Sequence, residues 1–297
     1  MKVIPKDKVI YSFNPKNPMV YSVKDGESFW VEVDDCYSGQ IHSENVLRPQ
    51  IDISIMDCSV GPIGIENAEP GDVLCVEVLD IQLAPHGVMV TSPGLGLLGS
   101  KIKEPNTKII PIKDGYALFS PEIHIPLTPM IGVMGVAPKE GDIHCAIPGD
   151  HGSNMDTKMV KIGAKVYLPV AVKGAGLAVG DIHACMGDGE MSGTGIEIAG
   201  KMFLKTTVVK KPFTSRPIIE TNDSIYTVAS SANIHEAIPV AVDDMVSLLM
   251  RKKNLAFPDA YRLLSATCDI QISQLVNSKL TVRVHAPKTD LAIDSPV

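Results

Sequence analysis

Glycine and proline recur along the whole chain rather than in blocks, 24 and 22 of them in 297 residues. Both residues punctuate regular structure, so a chain seeded this way is confined to short elements joined by turns. Before residue 233 no stretch carries the 3.6-residue periodicity of an amphipathic helix. Two stretches alternate instead: Phe29-Trp30-Val31-Glu32-Val33, and Val73 through Ile81, each bounded by Gly, Asp or Pro. The expected fold class is therefore mainly β, with a β-sandwich or barrel body.

The texture changes near residue 216. Pro217–Glu220 and Ile225–Val228 read as a strand pair around the turn Asn222-Asp223. Ala237 to Lys253 then places Val242, Met245, Leu248 and Leu249 at helical spacing, with acids early and bases late. Pro258 and Asp259 open a second helix, and strands follow around Ile270–Ile272 and Leu280–Val284. The expected organisation is a β-rich body over 1–215 carrying the active site, and an α+β subdomain of ββααββ order over 216–297. The body admits a further division into two β subdomains near 130–150. An internal echo, Val133-Met134-Gly135 with Gly141-Asp142-Ile143-His144 against Val172-Lys173-Gly174 with Gly180-Asp181-Ile182-His183, suggests one unit used twice. Turn chemistry at Gly-Asp, as in Pro70-Gly71-Asp72, is the plainer explanation.

Net charge and hydropathy exclude several classes. A formal charge of -7 and basic runs no longer than Lys210-Lys211 and Arg251-Lys252-Lys253 argue against nucleic acid as a partner. No apolar run reaches the roughly 18 residues of a membrane span, and the first residues lack the apolar core of a signal peptide. Six cysteines without a CxxC pair read as reduced thiols, so a cytoplasmic protein is expected. The apolar strands and the helix pair leave room for a homodimer or higher homo-oligomer.

Chemistry concentrates in residues 180–195, GDIHACMGDGEMSGTG. On a strand, Asp181 and His183 share a face. A tight turn at Gly187 to Gly189 would return Glu190 to it, and the same glycines let a ligand approach the backbone. Two carboxylates and an imidazole on one wall suit a divalent metal: histidine favours zinc, and the number of carboxylates admits calcium. The same set suits an acid–base relay, and the plainest alternative is a hairpin whose acids cap turns. The spacing excludes an EF-hand loop, and the glycines do not fit a phosphate loop. Pro148 to Asp156 forms a second polar segment, and Asp34-Asp35 through His42 a third. No GxSxG elbow is present, and Cys185, beside carboxylates, reads as an inert thiol.

Taken together, these segments resemble the acetamidase/formamidase family. The likeness runs through Asn154-Met155-Asp156, Tyr167-Leu168-Pro169-Val170, Gly174-Ala175, Gly180-Asp181-Ile182-His183-Ala184, Gly187-Asp188-Gly189-Glu190 and Thr194-Gly195-Ile196-Glu197. Upstream it includes Asp35, Gly39-Gln40-Ile41, Gly61-Pro62-Ile63 and Pro70-Gly71-Asp72. The resemblance implies a β-sandwich body with an appended α+β part, and hydrolysis of formamide or acetamide to ammonium and the acid. Departures at Met186, Ser153 and Gly176-Leu177 bear on the substrate more than on the reaction type. On this reading Asp181, His183 and Asp156 surround a divalent metal, zinc before calcium. Glu190 is the acid/base, Asp188 and Asp35 are further catalytic candidates, and Asn154, Gly187 and Gly189 meet the substrate. Competing expectations are a metal-free amidase with a nucleophilic side chain, a metal-binding β-sandwich without activity, and an amidase for larger or cyclic substrates.

Overall fold

The computed structural model describes residues 2–210 and 213–297; Lys211 of the basic pair lies outside them. Ser28–Val33 shows why the alternation reads as it does. Phe29, Val31 and Val33 turn to the core, while Trp30 faces the other way and stacks on Phe203 with ring centroids 4.9 Å apart. Val73–Leu83 is buried on both faces over its first half. Leu74, Val76 and Val78 join the sandwich core, whereas Val73 and Cys75 join an apolar cluster contributed largely by helices. That covered second face is why apolar residues occupy both faces over the first half and alternation is clear only beyond it.

Two sheets pack over one core. The first has nine strands in the order Lys2–Ile4, Ser28–Val33, Gly200–Val209, Val73–Leu83, Lys165–Pro169, Ile218–Glu220, Ser224–Ser231, Leu280–Pro287 and Asp269–Gln274. The sheet thus runs straight through residue 215: Tyr167 pairs with Ile218, and the C-terminal strands extend the body's own sheet. The second, eleven-stranded sheet centres on Leu177–His183, between Met130–Gly135 on one edge and Ser59–Ile65 followed by Glu197–Ile198 on the other. The main apolar cluster draws residues from Ile4 to Val228, on both sides of 130–150, and Phe13, Val133, Cys145 and Ala178 form a small cluster of their own.

The C-terminal segment runs strand, strand, helix, helix, strand, strand, and closes on a short helix, Lys288–Leu291. Its first helix, Ile234–Lys253, begins three residues before the expected Ala237, because the Asn233 side chain caps it by accepting from the His235 N–H (3.0 Å). It ends on Asn254 in the left-handed region, with Arg251, Lys252 and Lys253 in its last turn. The second helix, Phe257–Thr267, carries Pro258 in its first turn. No helix among the described residues is long and apolar enough to cross a membrane.

The echo is not a structural repeat. Val133-Met134-Gly135 lies within a strand, whereas Val172-Lys173-Gly174 is a turn. Gly141-Asp142 leads into a two-residue strand, whereas Gly180-Asp181 sits inside the central one. The two copies instead meet as neighbours, Val133 opposite Gly180.

Candidate active site

The site opens where the central strand changes partner. Leu177 and Val179 pair with Ser59–Ile65, Ile182 and His183 with Glu197–Ile198, and residues 180–181 fall between. There Asp181 adopts φ 58°. Asp57 (55°), Asp156 (41°) and Glu190 (47°) share this left-handed conformation, and all four line one cavity of about 280 Å³. Left-handed non-glycine residues are uncommon and carry a cost, so four around one cavity mark a site held by its surroundings.

Cross-strand register supplies the centre. His183 lies opposite Glu197, and its Nε2 is 3.0 Å from Glu197 Oε2 and 3.3 Å from Asp181 Oδ1. Asp156 arrives from the loop after strand Gly152–Asn154. Its carboxylate accepts from Asn277 Nδ2 (2.6 Å) and, with the Asn154 amide nitrogen turned toward it, from Asn154 at 2.8 and 2.9 Å. Glu190 returns to the cavity through a turn in which its N–H donates to the Gly187 carbonyl (3.2 Å). Gly132 makes the close approach possible: a Cβ there would meet Asp181 Oδ2 and lie 2.6 Å from Asp156 Oδ1. Gly195 does the same for His183, whose Nδ1 would be 2.5 Å from an added Cβ.

Crowding sets the protonation. Burial pushes Glu190 well above the ordinary carboxyl range, and the Asp156 charge adds to it. Burial and Asp181 push Asp156 up to about 7. Burial raises Glu197 to about 8 despite the adjacent imidazole. Burial opposes charge on His183, but Glu197 and Asp181 outweigh it and hold the ring well above the usual imidazole value. Burial also disfavours the Asp181 anion, yet His183 prevails and keeps that carboxyl low. The Cys36 thiol in the same cavity is pushed well above its ordinary value by burial and by Glu197, so it is held protonated.

The residues fit a divalent cation. Asp156, His183 and Glu190 form one group of donors, and Cys36, Asp181 and Glu197 another, with ligand atoms in each within 4.8 Å of one another. His183 Nδ1 and Glu190 Oε2 are buried without hydrogen-bond partners, an arrangement that leaves donor atoms for an ion.

Of the expected site residues, Asn154, Asp156, Asp181, His183 and Glu190 come together. Asp188 does not line the cavity; both its oxygens accept from Arg283 Nη2 (2.9 and 2.8 Å), and Lys158 Nζ is 3.0 Å away. Asp35 caps a turn, accepting from the N–H groups of Tyr37 (3.0 Å) and Gly39 (2.9 Å), and so presents Cys36 and Tyr37 to the cavity. Gly189 joins the C-terminal part through its backbone, donating to Ser273 O (2.8 Å) and accepting from Leu275 N (3.1 Å). Gly187 lines a different, apolar cavity. Sequence reasoning missed Glu197 as a site residue, although its segment carried part of the likeness. It also missed Arg48, Asp57 and Asn277, which have no local motif at all.

The comparisons with known proteins identify the family. The Acetamidase/Formamidase family model matches residues 5–144 and 143–287. The chain belongs to the acetamidase/formamidase family. A formamidase from Methylophilus methylotrophus is 30% identical over 261 residues, which cover 67% of this chain and 63% of that protein. The chain thus matches less than two thirds of the length of that curated relative. Among solved structures, an acetamidase from Bacillus halodurans is 37% identical with a TM-score of 0.96, covering 99% of both chains. A predicted acetamidase/formamidase from Thermoanaerobacter tengcongensis is 40% identical with a TM-score of 0.95 over 98% of each. Family membership thus rests on nearly the full length of the chain, including both sheets and the C-terminal helices.

Proposed function

We propose that this chain is an amidase that hydrolyses the C–N bond of small linear amides to ammonium and a carboxylate, assisted by a divalent cation. The observation that carries the reading is the convergence of Asp156, Asp181, His183, Glu190 and Glu197 on one small cavity. Asp156 and His183, from the first donor group, and Asp181, from the second, would hold the cation, zinc by the imidazole and calcium by the carboxylates. Such an ion polarises a carbonyl and lowers the pKa of water.

The chain's own groups do the rest. Glu190, kept protonated by burial, is a carboxyl able to pass a proton to the departing nitrogen. Asn154 and Asn277 line the cavity with amide groups that hold Asp156 and orient the substrate. Arg48 is the one basic side chain of Lys or Arg type among the described lining residues, and it faces the negative charge that develops as the acid product forms. Cys36 is a poor nucleophile because its thiolate is disfavoured. The free thiols throughout the chain suit a reducing, cytoplasmic setting.

Ammonia release from formamide and acetamide, with metal analysis of the same sample, tests the reading. Glu190→Gln is expected to lower turnover by about 10²–10⁴-fold with an unchanged melting temperature. Retention of most activity would remove Glu190 from its role. Activity that survives exhaustive chelation, with a covalent adduct on the protein, would favour a metal-free mechanism. Metal binding without ammonia release from any amide would leave a binding module.

A further inference from the structure

A second cavity of about 620 Å³ adjoins the first. Glu190 and Thr194 line both. The character of the second is different: Met89, Phe119, Ile125, Met186 and Met191 supply its walls, and Glu190 is the only charged residue among the described residues that line it. The first presents ionisable side chains at close range. An aliphatic chain lying among them would strip their hydration without replacing their partners, whereas the same chain against methionine and phenylalanine buries methylenes favourably.

The apolar cavity is a built feature. Its outer wall is the hairpin of Tyr116–Leu118 and His124–Pro126, with Ala117 opposite Ile125. Two bonds fasten that hairpin to the chain leaving the central strand. Thr128 N–H donates to the Ala184 carbonyl (3.0 Å), and Cys185 Sγ donates to the Pro126 carbonyl (3.3 Å). The strand that carries Asp181 and His183 therefore also sets the depth of the apolar pocket. A cavity formed this way is present before a ligand arrives.

We propose that the acyl chain of the substrate occupies this second cavity, so that the preferred substrates are primary amides of apolar acids longer than acetic acid. The proposal rests on the amidase reading above and names its substrate class. The amide group sits among Asp156, His183 and Glu190; the alkyl chain passes Glu190 and Thr194 and packs on Met89, Phe119 and Ile125. Phe119 and Ile125 then determine chain length and take no part in the chemistry.

Ammonia release is measured for formamide, acetamide, butyramide and hexanamide, with native protein and with Ile125→Trp and Phe119→Ala. Each buried methylene is worth about fourfold in binding, so kcat/KM is expected to rise about tenfold or more from acetamide to hexanamide. Ile125→Trp fills the pocket and should abolish that rise while leaving acetamide turnover within about twofold of native, at an unchanged far-ultraviolet spectrum. Phe119→Ala removes an apolar wall and should shrink the rise from acetamide to hexanamide while leaving acetamide turnover unchanged, which keeps the test valid if the tryptophan variant fails to fold. A kcat/KM that falls steadily from acetamide, or variants that change all four substrates alike, would overturn the acyl pocket and leave the amidase reading standing. No ammonia from any of the four would overturn both.

Discussion

Asp181 and Asp188 each follow a glycine and precede, two residues on, a second ionisable side chain, yet they finish in different parts of the molecule. Asp181 is 3% exposed, in the left-handed region, beside His183 in the polar cavity. Asp188 has a side chain 35% exposed and neutralises Arg283, which is fully buried on strand Leu280–Pro287. Arg283 also donates to Gln271 Oε1, Ile272 O and Ser273 Oγ, so the ion pair locks the loop carrying Glu190 onto the C-terminal strands. That lock serves the site. Gln274, completely buried, accepts from Val276 N (2.9 Å) and Asn277 N (3.0 Å), which shapes the loop that delivers Asn277 to Asp156. One aspartate lines the polar cavity, and the other belongs to the joint that holds its loop to the C-terminal strands.

Four measurements would break or sharpen this contrast. Asp181→Asn is expected to lower kcat/KM by about 10³-fold, within the range for loss of an essential acid–base or electrostatic group, with little change in the urea midpoint. Gly132→Ala should disturb the cavity from behind, since its methyl group overlaps the Asp156 and Asp181 carboxylates; a stability loss of about 3 kcal/mol, together with loss of activity, is expected from overpacking. Asp188→Asn should do the opposite of Asp181→Asn. It leaves a buried guanidinium without its counter-charge and costs about 2 kcal/mol, discounted for the partial exposure of the carboxylate, with kcat/KM within about fivefold of native. Equal activity losses for the two aspartate variants would end the distinction.

The smallest effect concerns His151, a buried imidazole outside both places. Burial lowers its pKa to about 4, with Lys279 adding to the shift. A group depressed in the folded state but free to protonate when unfolded stabilises the fold above the unfolded value of about 6.5; that stability drains as pH falls toward about 4. At pH 5 the loss is about 2 kcal/mol relative to neutral pH. Urea titrations at pH 7.5 and 5 should show His151→Gln less acid-sensitive than native protein by that amount. An unchanged difference between the two pH values would show that His151 is not the group responsible.

Much of the fold was legible along the chain. Alternation marked Ser28–Val33, helical spacing with acids early and bases late marked the first C-terminal helix, and Pro258 with Asp259 marked the start of the second. The sheet continuous across residue 215 was not legible, because pairing of Tyr167 with Ile218 joins segments whose local patterns look independent. Nor was the fate of the echo: four identical residues took different roles because one copy entered the centre of the eleven-stranded sheet and the other a separate two-stranded pairing with Ser12–Phe13.

For the site, the division has the same physical basis. By itself the sequence determined which segments bring carboxylates, an imidazole and glycines close together: spacing pointed to Asp181, His183 and Glu190, the family likeness added Asn154 and Asp156, and Asp188, Asp35, Gly187 and Gly189 stood beside them with equal claim. Only the tertiary structure decided that Glu197 faces His183, since strand register sets that pairing. It alone placed Cys36, Arg48, Asp57 and Asn277 on the same cavity, because they arrive from distant loops. It also separated Asp188 from Asp181, since a buried arginine 95 residues away competes for the carboxylate more strongly than the cavity does. Local composition limits what chemistry a segment can offer; the burial and charge of its partners determine which of those groups is used.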